Sequence, residues 1–175
     1  MILNGDEIRG AILNGSIKID PFDEKKVGTN SYDVTLLPTL KYYRSGYLDP
    51  RTNNLVVEMA IPETGLLLEK GTFWLGSTFE YNSNIANDLV PMLEGRSSVA
   101  RLGLTIHVTA GFGDVGFCGR WTLELIPAVS IVVYPYMPIG QLYWIRTSPT
   151  HLRYHGKYQN QTEVQESKLY TEVRE

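Results

Sequence analysis

The chain has 175 residues, of which 43% are hydrophobic and 20% charged, so it has enough apolar side chains to bury a core. This composition excludes an intrinsically disordered chain. The formal net charge of −3 and the scattered basic residues argue against a surface that binds nucleic acid.

The cysteine count and the N-terminal residues indicate the compartment. Cys118 is the single cysteine, which excludes an intramolecular disulfide and a zinc site built from several cysteines. The first twelve residues include Asp6, Glu7 and Arg9, so they form neither a signal peptide nor a membrane span. We therefore expect a cytoplasmic protein with no membrane partner.

A short helix is predicted at the N-terminus. Asn4 is a suitable N-cap, Asp6 and Glu7 place acids in the first turn, and Gly15 provides a stop. Helix signals are few in the rest of the chain.

Short strands are predicted beyond this helix. Residues 72–81 alternate with period two, with Phe73 and Leu75 on one face and Trp74 and Gly76 on the other. Further strands are predicted at 106–109, 121–126, 129–134 and 141–146, with Gly- or Pro-containing turns at 111–116 and 135–138. This pattern predicts an antiparallel β sandwich or a distorted barrel.

The chain becomes polar after Pro149. Such a segment is expected either to fray or to be ordered by a ligand or a neighbouring subunit. Because no internal repeat or low-complexity linker is present, we expect a single domain over residues 1–175, with a lid segment from about 150 to 175.

Residues 94–104 place two guanidiniums and two hydroxyls close together, in Arg96, Ser97, Ser98 and Arg101. Arginine donors match phosphate oxygens in pairs, and serine offers a short donor, so one interpretation is a polyphosphate cradle. The alternative is a helix start, capped by one of the serines, with exposed arginines.

Two acids stand out in residues 107–125. Asp114 lies in a glycine-rich turn, where it is either functional or a turn former. Glu124 lies within an apolar strand, where an ionised carboxylate is costly unless it has partners. The alternative for Glu124 is an exposed acid on a sheet face.

Joined in order, residues 94–104 and 107–125 resemble the core signature of dCTP deaminases, relatives of the trimeric dUTPases. Residues 30–34 (NSYDV) resemble the early strand motif of the family, 139–142 (IGQL) its late strand and 156–161 (GKYQNQ) its closing C-terminal segment. The resemblance implies a mainly β, dUTPase-like distorted jelly roll with a short N-terminal helix and a flexible C-terminal lid. It also implies a homotrimer with sites at subunit interfaces.

The implied reaction is hydrolytic deamination of dCTP to dUTP. A lone cysteine and the absence of a His-x-Glu motif leave no zinc site of the usual deaminase type. By the family pattern Glu124 moves the protons, Ser97 and the Ala110 carbonyl hold the attacking water, and Arg101 stabilises charge.

The resemblance also implies a set of substrate contacts. Mg²⁺ would arrive with the nucleotide, held through triphosphate oxygens, and dTTP is implied as an inhibitor through residues 107–110. His107 itself is expected to have a structural or gating role. The implied substrate-binding residues are Arg96, Ser98, Thr122, Leu123, Tyr154, Lys157 and Gln161.

The product is the main open question. The Ala110-Gly111-Phe112 run before Asp114 resembles bifunctional members that also release pyrophosphate and yield dUMP, with Asp114 positioning a second water. Gly113 replaces an expected bulky apolar residue, and we expect a looser turn there. A dUTPase and a nucleotide-sensing module without turnover are the remaining alternatives.

Overall fold

The computed structural model describes residues 1–173 of the chain. Two α-helices are present in this part, α1 (Gly5–Leu13) and α2 (Ser97–Ala100), with short 3₁₀ turns at Glu24–Lys26 and Leu169–Thr171. The strands are β1 (Ile17–Asp20), β2 (Tyr32–Thr35), β3 (Thr39–Tyr43), β4 (Val56–Ala60), β5 (Leu66–Leu68), β6 (Trp74–Ser77), β7 (Tyr81–Asn84), β8 (Leu89–Gly95), β9 (Leu104–Thr105), β10 (Cys118–Gly119), β11 (Thr122–Pro127), β12 (Ile131–Val133) and β13 (Pro138–Arg146).

Helix α1 begins and ends as the sequence predicts. The Asn4 side chain accepts a hydrogen bond from the Glu7 N–H, and the Glu7 carboxylate accepts one from the Asn4 N–H, both at 2.9 Å. This reciprocal capping satisfies two backbone donors that a helix start otherwise leaves unpaired. Gly15, just beyond the helix, has a φ of 78°, a conformation that glycine adopts at little cost.

The strands form antiparallel sheets that enclose a common core. The largest has the order β4-β3-β6-β11-β9, and the others are β1-β7-β10, β2-β13-β8 and β12-β5. One cluster of buried apolar side chains lies between them and includes Tyr32, Leu93, Leu123 and Trp144. The prediction of an antiparallel, mainly β fold is confirmed.

The predicted strand at 72–81 is divided in the structure. Strand β6 ends at Ser77, and the chain crosses to a different sheet before β7 begins at Tyr81. The crossing is favoured because the Thr78 N–H donates to the Trp121 carbonyl and the Trp121 N–H donates to the Thr78 hydroxyl, both at 2.9 Å. Period two continues through this corner, so the sequence pattern does not reveal it.

The prediction of a strand at 106–109 is wrong. Strand β9 ends at Thr105, and the last ladder-like contact is the hydrogen bond from the Glu124 N–H to the Ile106 carbonyl at 2.6 Å. The chain then turns towards β8, where the Leu93 N–H donates to the Gly111 carbonyl at 2.9 Å. The other predicted strands correspond to β11, β12 and β13 with shifted ends.

The polar C-terminal segment makes contacts with its own chain. Gln161 forms a parallel bridge with Gly119, and its carbonyl accepts from the Arg120 N–H at 2.9 Å. Val164 is 1% exposed. Residues 174 and 175, the last two of the expected domain and lid, lie outside the described residues.

None of the helices in residues 1–173 is long and apolar enough to cross a bilayer.

Candidate active site

A cavity of about 540 Å³ lies between the largest sheet and the C-terminal segment. Strands β3, β6 and β11 supply Tyr43, Leu75, Thr122 and Glu124 to its wall. Such a volume fits a nucleotide-sized ligand. The remaining lining residues come from the loop after β3, Phe73 just before β6, the 110–121 segment and the C-terminal segment, and they include Leu48, Phe112, Trp121, Tyr158, Gln165 and Ser167.

The direction of Glu124 follows from the pleat of β11. Leu123 and Leu125 are fully buried in the core, whereas Thr122 and Glu124 face the cavity from the opposite side of the strand. The register pairs Glu124 with Leu75 on β6. Glu124 is thus a half-buried acid beside an apolar wall rather than an exposed acid on a solvated face.

The 110–114 loop brings a second acid to the same cavity. Ala110 and Asp114 are exposed and line the wall. The loop is anchored to β8 because the Gly113 N–H donates to the Pro91 carbonyl at 3.1 Å, and because Phe112 forms a bridge with Met92. Glu124 and Asp114 therefore reach the cavity from separate supports, a strand and an anchored loop.

Gly113 does not loosen this turn, contrary to expectation. A β-carbon at this position would lie 2.5 Å from the Trp121 ring and 2.6 Å from the Pro91 carbonyl oxygen. The close contact with Trp121 needs glycine, and the space for a bulky residue is already filled.

The C-terminal segment covers the cavity with Tyr154 and Gln161. The Gln161 amide donates to the Arg120 carbonyl at 2.5 Å and to the Thr122 hydroxyl at 3.3 Å. Its side-chain oxygen is buried without a partner among the described residues, which leaves an acceptor beside the cavity. The Tyr154 hydroxyl accepts from the Tyr158 N–H at 3.2 Å.

Unlike Tyr154 and Gln161, Lys157 and Leu123 lie outside the cavity. The Lys157 ammonium lies 2.6 Å from a Glu172 carboxylate oxygen, and the hydrogen bond from this partner raises the pKa of Lys157. Neither Lys157 nor Leu123 lines the cavity. Because the Leu123 side chain is buried in the core, only its backbone is available to a ligand.

The Arg96–Arg101 segment also lies away from this cavity of its own chain. Ser97, Ser98 and Arg101 are exposed on or beside α2. Arg96 is the N-cap of α2 and makes no capping hydrogen bond through its side chain, so the alternative of a serine cap is wrong. The Arg96 guanidinium instead lies 3.2 Å from the Asp33 carboxylate.

His107 is mostly buried and lies outside the cavity lining. Its Nε2 is 4.0 Å from the Glu94 carboxylate. The ring packs so closely on Gly111 that a β-carbon there would be 2.9 Å from Nε2. Within residues 1–173, no group of three or more His, Cys, Asp or Glu side chains has the geometry of a metal site.

Comparison with known proteins identifies the family. The model of the dCTP deaminase-like family matches residues 2–147. The chain belongs to the dCTP deaminase-like family. It is 47% identical over 171 residues to the "dCTP deaminase, dUMP-forming" of Hathewaya histolytica, covering 97% of this chain and 98% of that one. A Clostridium beijerinckii protein of the same name is 49% identical, with 97% of each chain covered.

Solved structures support the fold. A 2'-deoxycytidine 5'-triphosphate deaminase from Agrobacterium tumefaciens superposes with a TM-score of 0.66 at 21% identity, over 84% of this chain. This chain spans 48% of the length of that one. The EIAV dUTPase gives a TM-score of 0.51 at 13% identity, over 81% of this chain and 96% of its own. The expected dUTPase-like fold is confirmed.

Several of the residues that the family resemblance implied converge on one cavity, whereas the others lie elsewhere in the chain. Those that line it are Ala110, Asp114, Thr122, Glu124, Tyr154 and Gln161. Those that do not are Arg96, Ser97, Ser98, Arg101, Leu123 and Lys157.

The apolar wall of the cavity and the ion pairs are not evident from the sequence. Tyr43 and Phe73 stack with ring centroids 6.4 Å apart, and both line the cavity with Leu75. The alternation in residues 72–81 places Phe73 and Leu75 on one face, but it does not show what that face contacts. Asp33 belongs to the NSYDV motif, and only the structure shows its contact with Arg96.

Replacing Gly113 with isoleucine tests the close packing of the 110–114 loop. We expect Gly113→Ile to lower the free energy of unfolding by about 1–3 kcal/mol, the usual cost of overpacking, as measured by urea denaturation. Gly46→Ile is the matched control, because a β-carbon there meets no atom within 4 Å and the position lies outside the helices and strands. A Gly113→Ile variant as stable as the control would contradict the packing account.

Proposed function

We propose that this chain converts dCTP to dUMP at this cavity. The observation that carries the proposal is the placement of Glu124 and Asp114 on the wall of one nucleotide-sized cavity. The relatives named "dCTP deaminase, dUMP-forming" support dUMP as the product rather than the dUTP that we first expected.

The proposed reaction has two hydrolytic steps. In the first, water adds to C4 of cytosine and the C4–N bond breaks, so that dCTP and water give dUTP and ammonia. In the second, water attacks the α-phosphorus and the bond to the bridging oxygen breaks, so that dUTP and water give dUMP and pyrophosphate.

Glu124 is the proposed proton carrier of the first step. Its carboxylate accepts a proton from the attacking water and delivers protons to the ring nitrogen and to the leaving amine. The position of Glu124 supports this role, because the strand directs it into the cavity beside Leu75, where a pyrimidine ring can pack. The Ala110 carbonyl is the proposed acceptor that holds the attacking water.

A second subunit is proposed to complete the site. Ser97 and Arg101 are needed to hold the water and to stabilise charge, yet they are exposed outside the cavity of their own chain. A symmetric oligomer can bring α2 of one subunit to the cavity of the next. We propose the homotrimer that the resemblance implies.

The triphosphate is proposed to contact arginine, lysine and serine donors from both subunits. Asp33 holds the Arg96 guanidinium in place, which leaves its remaining donors oriented for phosphate oxygens. Lys157 must exchange the Glu172 carboxylate for phosphate in order to contribute. The other proposed contacts are Ser98, Tyr154, Gln161, the Thr122 hydroxyl and the Leu123 backbone.

Mg²⁺ is proposed to enter with the nucleotide. The ion would be held through triphosphate oxygens, and the Asp114 carboxylate on the cavity wall is an oxygen donor of the kind that suits a hard cation. When bound, Mg²⁺ offsets the charge of the triphosphate. Inhibition by dTTP and a cytoplasmic location stay predictions.

Changing Glu124 to glutamine tests the proton-carrier role. We expect Glu124→Gln to lower ammonia release from dCTP at least about a hundredfold, because an amide does not carry the proton. Glu58→Gln is the control, since Glu58 is an exposed strand acid outside the cavity lining. Turnover by Glu124→Gln close to that of the control would exclude the role.

Changing Asp114 to asparagine tests the second step separately. We expect Asp114→Asn to release ammonia from dCTP while pyrophosphate release falls at least about tenfold, so that dUTP accumulates. The measurement is the molar ratio of pyrophosphate to ammonia. An unchanged ratio would remove Asp114 from the second step, and a wild-type protein that releases ammonia alone would refute dUMP formation.

Mixing two inactive variants tests the shared site. We expect Glu124→Gln and Arg101→Ala subunits, each inactive alone, to recover up to about one quarter of wild-type activity after random reassembly, because some sites then combine two intact residues. The control is each variant reassembled with itself. No recovery in hetero-oligomers shown to form would contradict the shared site.

A further inference from the structure

We propose that the ion pair between Lys41 and Glu166 is a latch that holds the C-terminal segment over the cavity and retains dUTP between the two steps. The inference rests on the proposed two-step function. We use "strap" for residues 161–167 and "latch" for the Lys41–Glu166 pair.

Lys41 lies in the same row of side chains as the proposed proton carrier. The register pairs Lys41 of β3 with Leu75 of β6, and Leu75 with Glu124 of β11. Residues directly opposite each other in neighbouring strands share a face, so all three side chains are on the cavity side of the sheet. Lys41 therefore lies on the cavity side of the sheet, two strands from Glu124 and two residues from Tyr43, which lines the cavity.

The strap is attached on both sides of the cavity. At one side, the Gln161 side-chain amide donates to the Arg120 carbonyl at 2.5 Å, and just before the strap the Gln159 side chain accepts from the Cys118 N–H at 3.0 Å. At the other side, the Lys41 ammonium donates to Glu166 at 3.1 Å, and the Tyr43 hydroxyl accepts from the Ser167 N–H at 3.1 Å. The strap thus crosses from the edge of β11 to β3.

The latch is the charged attachment at the β3 side. The side chains of Lys41 and Glu166 are only 12% and 27% exposed, so solvent screens their attraction less than at an open surface. Burial raises the pKa of Glu166, but hydrogen bonds from its own N–H and from Lys41 outweigh burial, and the net pKa is below its ordinary value. Charge-assisted hydrogen bonds are about twice as strong as neutral ones, so this contact outweighs the Tyr43 bond.

Lys41 has a second possible acidic partner, Glu58, on the neighbouring strand. It lies directly opposite Lys41 on β4 and so is an available acid on the sheet itself. Lys41 nevertheless pairs with Glu166. The cation on the sheet face therefore stabilises closure of the strap rather than a cross-strand contact.

Closure of the strap matters because the intermediate, dUTP, must stay bound until its triphosphate is hydrolysed. dUTP is free to leave whenever the strap opens, and the second hydrolysis competes with that escape. Opening of a lid often sets such partitioning in enzymes. The latch therefore favours dUMP over release of dUTP without touching the reacting atoms.

The test follows labelled dCTP in the presence of a large pool of unlabelled dUTP. With wild type we expect label to pass mainly to dUMP. With Glu166→Gln we expect the share of label trapped in the dUTP pool to rise roughly fivefold, the effect of losing one modest ion pair. Glu163→Gln, an exposed acid three residues earlier, is the control and should match wild type.

Hydrogen exchange of the free protein provides a readout that does not depend on activity. We expect the amide of Ser167 and its neighbours to exchange roughly fivefold faster in Glu166→Gln than in wild type or Glu163→Gln. The double variant Lys41→Glu with Glu166→Lys should restore both slow exchange and retention of label.

The outcomes separate the two proposals. Unchanged exchange and unchanged partitioning in Glu166→Gln would overturn the latch while leaving dUMP formation intact. If exchange is faster in Glu166→Gln but the wild type forms no dUMP, the ion pair holds the strap closed. The proposed function, and with it the effect of the latch on an intermediate, would then be refuted.

Discussion

Strand β11 has one face in the hydrophobic core and one face in the cavity, and the rest of the site depends on this division. Leu123 and Leu125 are fully buried, so rotating the strand to hide Glu124 would expose both leucines to solvent. A one-residue shift in register would reverse every side chain in the same way. Burial of Leu123 and Leu125 thus keeps Glu124 directed into the cavity. An isolated carboxylate is otherwise unfavourable in such surroundings.

The C-terminal segment that covers the cavity depends less on buried apolar side chains than β11 does. Up to residue 173, the C-terminal segment contributes one deeply buried apolar side chain, Val164, and packs Tyr154 against Phe117, and many of its other contacts are hydrogen bonds and ion pairs. Contacts of this kind are easily exchanged for contacts with a ligand. Lys157 illustrates such a contact, because its partner Glu172 is a carboxylate that the proposed function requires it to exchange for phosphate.

Sequence patterns predicted the helices and strands that are determined by residues close to them in the chain. The capped helix α1 and the strand containing Glu124 are local, and both are confirmed. The corner between β6 and β7 and the end of β9 were missed, because hydrogen bonds from residues distant in sequence, such as Trp121, decide them. The contacts of the C-terminal segment with its own chain were not predicted for the same reason, since its partners Gly119 and Lys41 precede it by many residues.

The candidate site was predictable only through the order of its motifs. Those motifs indicated Glu124, Asp114 and Gln161, but the row that joins Lys41 to Glu124 requires the strand register. Ser97 and Arg101, which the same motifs indicated, are exposed outside the cavity of their own chain, and this position is the reason for proposing a shared site.

A crystal structure of the Glu124→Gln variant with dCTP and Mg²⁺ tests the central claim most directly. The account predicts the cytosine ring in the cavity against Leu75, with its amino group within hydrogen-bond distance of the residue 124 side chain. It also predicts Ser97 and Arg101 of a neighbouring subunit on the other side of the ring. A nucleotide bound elsewhere, or a complete site without any second subunit, would contradict it.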